Sequence, residues 1–262
     1  MTVSDHTRTA DTSLDGVSAG DPRLNDEYVR RVQLGSHTVV LVGVVHDHPT
    51  SSYRVRAVVD AFEPDVVAVE LPNLLVPALA SWDETDTTGG EMAAAIRAAM
   101  PSPAVGIDVP GRHLYRALRS EQRRQQPGLR TLLRTARSFG QIAVHAALGR
   151  LSHQLGAYGV PWMPSVADLE DEHSYGLGDD ASPAEQAENE GAHLLRSETM
   201  RRTLDPPAAT KFIDGVRERF MADRLRQLRD ADVVVGVVGY GHLDSVAKNC
   251  RSNLGETDPG TA

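Results

Sequence analysis

Four short apolar runs in this 262-residue chain each stop at an acid or lead into a histidine. His46 follows TVVLVGVV, Glu70 ends VVAV, Asp108 ends AVGI, and His242 lies just past VVVGVVGYG. Runs this brief and this rich in valine read as buried strands. Between them lie segments of helical character: Arg54 to Phe62, stopping at Pro64; Glu91 to about Met100; and Phe212 to Leu228, with Phe212, Ile213, Val216, Phe220 and Leu228 at helical spacing. A last helix is expected after His242. Tyr28 to Val45 reads as two strands around Gly35-Ser36. Strand and helix alternating in this order predict an α/β fold, a largely parallel central sheet flanked by helices.

From about 112 to 205 the pattern changes to helical periodicity without obvious strands, which predicts a helical insertion. Arg112 to Arg137 holds eight arginines against one acid, Glu121, whereas Asp168 to Glu190 is strongly acidic. The arginine face is either a solvated surface or a contact for an anionic partner or lipid surface. Residues 1–25 and 251–262 lack apolar periodicity and are expected to be disordered tails around one domain, 26–250.

The formal charge of −9 argues against a general nucleic-acid binder. Lys211 and Lys248 are the only lysines. An acidic, lysine-poor composition fits a high-salt organism or a GC-rich genome. Cys250 stands alone, so neither an intrachain disulfide nor a cysteine-based zinc site is expected. The first residues lack the apolar stretch of a signal peptide, and no run approaches the ~20 apolar residues of a membrane-spanning helix. The expectation is a soluble, cytoplasmic protein.

In an open parallel sheet the C-terminal strand ends share one edge, where ligands bind. His46, Glu70, Asp108 and His242 can therefore meet in one cleft although they span almost two hundred positions. Their chemistry suits hydrolysis: imidazole binds a metal or moves a proton near neutral pH, and a carboxylate completes a metal site or acts as base. Gly43 and Gly239 each precede a histidine by three residues. Singly, each residue also has a plain structural use, as a cap, a turn former or an ion-pair partner.

GVVH at 43–46, DVVAVEL at 65–71, EMAAAIRAA at 91–99, GID at 106–108, RERFMA at 217–222 and VVGYGH at 237–242 occur in the order found in TraB/PrgY proteins. The chain resembles that family over about residues 28 to 250. The family is similar to the TIKI and GumN proteins and, more distantly, to the ChaN and erythromycin esterase folds. Two GxxH motifs, a strand-end glutamate and a helical arginine mark the group, and here they fall on His46, His242, Glu70 and Arg217. There are departures. Arg219-Phe220 follows Glu218 where the family often has an acid-aromatic pair, and Val109 stands where an arginine commonly follows the aspartate. His48 replaces a small hydroxyl residue.

The resemblance implies a metal-dependent, peptidase-like hydrolase. His46, Glu70 and His242 would hold a divalent ion of unknown identity, Glu70 and His242 would serve the reaction, and Arg217 would stabilise the oxyanion. A metal-free variant would use one histidine as base, oriented by Glu70. His48, Asp108 and Glu218 are candidate supporting residues. The expected partner is a peptide or other small substrate. Alternatives are a module that sequesters a peptide signal without cleaving it, as in pheromone shutdown, and a metal or haem carrier. If the strand ran past His46, His46 and His48 would share a face as an HxH pair. Pro49 argues for a strand end there instead.

Other motifs carry less. Gly16 to Gly20 matches GxSxG but lies in the polar tail. Gly239-x-Gly241 is half a dinucleotide loop, with Asp244 in the last glycine position. His145, His153, His173 and His193 show no ligand spacing.

Overall fold

The computed structural model describes residues 20–80, 90–111, 114–156, 175–178, 180–204 and 206–252. A five-stranded sheet has the order β1-β2-β5-β3-β4. Its strands are β1 (Val29–Leu34), β2 (His37–Val44), β3 (Val66–Pro72), β4 (Ala104–Asp108) and β5 (Val233–Gly239). All pairings are parallel except β1 with β2, which makes β1 an antiparallel edge. The expected α/β architecture is therefore what the chain adopts.

The helices are α1 (Pro49–Phe62), α2 (Val76–Ala80), α3 (Gly90–Ala99), α4 (Leu114–Gln125), α5 (Leu129–Gly156), α6 (Pro183–Leu204), α7 (Ala208–Gln227) and α8 (Tyr240–Ser252). The chain leaves edge strand β4, runs through α4 to α7, and returns to place β5 between β2 and β3. Among the described residues the middle of the chain holds helices α4 to α7 with their connections and no strand. No helix among them is long and apolar enough to cross a membrane.

Alternation along the strands divides the core. Val40, Val42, Val67, Val69, Val235 and Val237 face α1 and α3, while Val39, Leu41, Ala68, Val234 and Val238 face α7 and α8. Both faces are covered, which is why the strands read as continuous valine runs and not as alternating ones. A third cluster joins α4, α5 and α7 through Val109, Phe139, Phe212 and Val216.

Two boundaries differ from expectation. α1 begins at Pro49, five residues before Arg54, because His48 is its N-cap and proline is pre-shaped for the first helical position. The expected tail up to residue 25 is also too long. Asp21 binds the Arg23 guanidinium, and Leu24 packs on the core. The remainder of that tail, the GxSxG match and His173 lie outside the described residues.

Candidate functional site at the strand ends

The ends of β2 and β5 are in register, Val44 opposite Gly239, so the residues that follow them start from the same level. On β3, Val69 pairs with Gly106 but Pro72 pairs with Asp108, so two residues of β3 oppose one of β4. Such a bulge re-aims side chains at a sheet edge, and Glu70 lies in it. Glu70 shares the face of Ala68, towards α7 and α8.

Glu70 is 7 % exposed and uses both carboxylate oxygens. Oε2 accepts the Gly239 backbone N–H at 2.6 Å, and Oε1 accepts Nη2 of Arg217 at 2.6 Å. Arg217, on α7, is gripped by Asp108 as well, through Nε at 3.1 Å and Nη2 at 2.7 Å. Asp108, which the sequence placed at the margin, therefore helps fix this guanidinium. The two carboxylates hold the Arg217 pKa above its ordinary value even though burial, the largest single influence, opposes the charge.

His242 lies in the first turn of α8. Its Nδ1 meets Glu218 at 3.1 Å, and its Nε2 faces Arg217 Nη1 at 3.4 Å and Glu70 Oε1 at 3.7 Å. Burial pulls its pKa down, but the hydrogen bond to Glu218 and the charge of Glu70 outweigh that and raise it. Glu218, one residue after Arg217 on α7, thus orients the ring.

His46 follows β2. Its Nδ1 is bonded at 2.8 Å to Glu91 of α3, whose second oxygen accepts the Asp47 N–H at 2.9 Å. That bond is the main reason the His46 pKa rises to about 9. Asp47 takes φ 58° to allow this, and Gly90 beside it has φ 52°; a Cβ at Gly90 would collide with the Asp47 carboxylate.

Gly239 lies at the centre. A Cβ built there would be 3.4 Å from Glu70 Oε2, 3.4 Å from His46 Nε2 and 3.8 Å from His242 Cδ2. The structure therefore brings His46, Glu70, Arg217 and His242 together, with Asp108 and Glu218 attached to them.

His48 does not join them. The left-handed Asp47 ends the extended backbone, so the HxH alternation never forms. His48 is fully buried; its Nδ1 accepts the Thr50 N–H at 3.2 Å and its Nε2 meets Asn189 Oδ1 of α6 at 3.2 Å. Asn189 also bonds the Tyr175 carbonyl at 3.1 Å, and the Tyr175 hydroxyl donates to the His46 carbonyl. His193 packs edge-on against Tyr175. His48 thus ties the start of α1 to Asn189 of α6 and, through it, to Tyr175.

Glu91, Tyr175 and Asn189 were missed by sequence reasoning. EMAAAIRAA carries Glu91 in plain view, as an acid opening an apolar helix. Tyr175 and Asn189 give no comparable signal.

The proposed ion on His46, Glu70 and His242 requires free lone pairs. Here Glu70 Oε1 is already paired with Arg217, and the Arg217 guanidinium sits against His242 Nε2, so an ion would have to displace a cation from two of its three ligands. Among the described residues no group of three or more His, Cys, Asp or Glu side chains is spaced to hold a metal. As placed, His46, Glu70 and His242 form no divalent-ion site unless Arg217 is displaced. Comparison with known proteins finds no matching family model, no matching curated protein and no matching solved structure.

Proposed function

We propose that this protein is a hydrolase of acyl bonds that works by paired imidazoles without a metal step. One observation carries the reading: His46 and His242, each tied through Nδ1 to a carboxylate, open onto the same space over Gly239 beside Glu70. Two histidines in shared surroundings but with separate carboxylate partners can divide acid and base roles.

His46, raised to about 9 by Glu91, is an imidazolium near neutral pH. Its Nε2–H can donate to the carbonyl oxygen or to the leaving group. His242, oriented by Glu218, takes a proton from water at Nε2 once it is neutral and the incoming water has replaced Arg217 Nη1, 3.4 Å away, at that atom. Water adds to the carbonyl carbon, the bond to the leaving group breaks, and the proton from His46 goes to that group. Glu70 and Asp108 hold Arg217 beside His242, where its charge favours the neutral ring before the reaction. Arg201 of α6 adds a further cation, its guanidinium lying over Gly241. The more distant likeness to erythromycin esterase folds, which implies a metal-free variant with a histidine base, supports this assignment, whereas the TraB/PrgY likeness implies a metal.

The test is turnover of activated esters and a peptide library by purified protein, with and without chelator. We expect hydrolysis that chelator leaves unchanged and that falls by at least about a hundredfold in His242→Ala. Activity that disappears with chelator and returns with a divalent ion would restore the metal reading. Activity unaffected by the His46→Ala/His242→Ala pair would remove this site from the chemistry.

A further inference from the structure

Away from the strand ends, α4 and α7 wall a cleft of about 680 Å³ lined by five arginines, Arg116, Arg119, Arg123, Arg124 and Arg219, together with Tyr115. No acid lines it. Glu121 lies buried beneath, taking up Arg124 and Arg219, and among the described residues Arg116, Arg119 and Arg123 have no ion-pair partner. In a chain of net charge −9 this is a strong local reversal of sign. A concave, single-sign surface concentrates counter-ions, and guanidinium groups match phosphate oxygens in pairs.

A second cavity of about 410 Å³ adjoins it and shares Tyr115 and Arg119. Its wall is largely apolar, with Leu118, Leu132 and Ala136 over the buried rings of Phe139 and Phe212, and Gln122 and Thr135 beside them. Tyr115 stands 71 % exposed between the two. One cavity would hold clustered negative charge and its neighbour a hydrocarbon body, joined by residues common to both.

We propose that this double cavity binds an amphiphile with a diphosphate head and a hydrocarbon tail, the head among the arginines and the tail against Leu118 and Leu132. A nucleotide fits less well, because a base would find few polar partners in the apolar part beyond Gln122 and Thr135. The proposal is independent of any chemistry at the strand ends.

Calorimetric titration of the full chain with farnesyl diphosphate and with inorganic tripolyphosphate tests it. The tailed ligand should bind at least about tenfold more tightly, since each buried methylene adds to affinity. Arg119→Gln/Arg123→Gln alters exposed side chains and should weaken both ligands by at least about tenfold. Ala136→Trp, also at an exposed position, should fill the apolar cavity and erase the preference for the tail while tripolyphosphate still binds. Absence of saturable binding, equal affinity in the arginine variant, or tighter binding of ATP than of farnesyl diphosphate would overturn the proposal. So would attachment to phosphatidylglycerol vesicles with no binding of the soluble amphiphile, which would make the arginines a surface patch.

Discussion

Glu91 holds His46 by a bond of 2.8 Å, although Glu91 is 2 % exposed and the His46 side chain is 61 % exposed. A buried acid anchors a ring that projects into solvent. Because the second oxygen of Glu91 binds the Asp47 N–H, the carboxylate fixes both the backbone turn and the imidazole. Only Nε2 of His46 is left to face the space over Gly239.

This pairing sets a pH dependence whose sign follows from the protonation states. With His46 as acid and His242 as base, the active form has His46 charged and His242 neutral. The rate should rise as His242 loses its proton, above the ordinary histidine value of 6.5, and fall as His46 loses its own near 9. Glu91→Gln removes the charge that supports the imidazolium, so the alkaline limb should move to lower pH. Nuclear magnetic resonance titration of the His46 ring reads this directly, without a substrate. A His46 pKa that stays put in Glu91→Gln would disprove the coupling.

His46 and His48 should separate cleanly on mutation. His46→Ala should abolish activity and also lower stability near neutral pH, because it leaves the buried Glu91 carboxylate without its imidazolium partner. His48→Ala removes the N-cap of α1 and the tie to Asn189, and should cost about 1 kcal/mol in urea unfolding. Its activity should be largely retained. Equal loss of activity from both, in folded proteins, would mean that His48 also reaches the reacting groups.

Strand-end logic made the main convergence legible because it depends only on topology. Polar residues that terminate apolar strands of a parallel sheet must share an edge, so His46, Glu70, Asp108 and His242 were readable from local sequence. Arg217 came from motif order. Glu91 and Glu218 were in view, but which histidine each would hold depends on packing between elements far apart in the chain. The distinction between His46 and His48 turned on one residue, Asp47, whose left-handed backbone no alternation rule foresees. The pairing of Arg217 with both Glu70 and His242, with which any ion would compete, exists only once α7 is packed against the strand ends.

Helix α6, which carries Asn189, is joined to α1 by a buried ion pair. Arg54 of α1 and Glu190 of α6 are each 1 % exposed and bonded to one another. Glu190 also accepts the Ser51 hydroxyl at 2.7 Å, while Arg54 bonds the Arg23 and Gly43 carbonyls and lies over the Tyr28 ring. Removing one partner strands the other charge in the core. Glu190→Ala should therefore cost about 3–5 kcal/mol in denaturant unfolding, whereas Arg54→Met/Glu190→Leu should recover much of that loss. A double variant as unstable as the single one would show that the Arg54 contacts to backbone and Tyr28, not the ion pair, carry the stability.

Gly239→Ala is the sharpest probe of the shared space. A methyl group there would meet Glu70 Oε2 and His46 Nε2 at 3.4 Å and His242 at 3.8 Å, ordinary contact distances that require no displacement. Gly239 has no left-handed backbone, and its N–H to Glu70 is kept in alanine, so the fold should survive with stability changed by less than about 1 kcal/mol. The methyl would occupy the volume between the two imidazoles where water and the scissile carbon must fit. Activity should fall by about a hundredfold or more, because displacement of reacting atoms by an ångström carries that penalty. The His46 pKa should change little, since its bond to Glu91 lies on the far side of the ring. A folded Gly239→Ala protein that retains full turnover would show that the reaction does not use the space between His46 and His242.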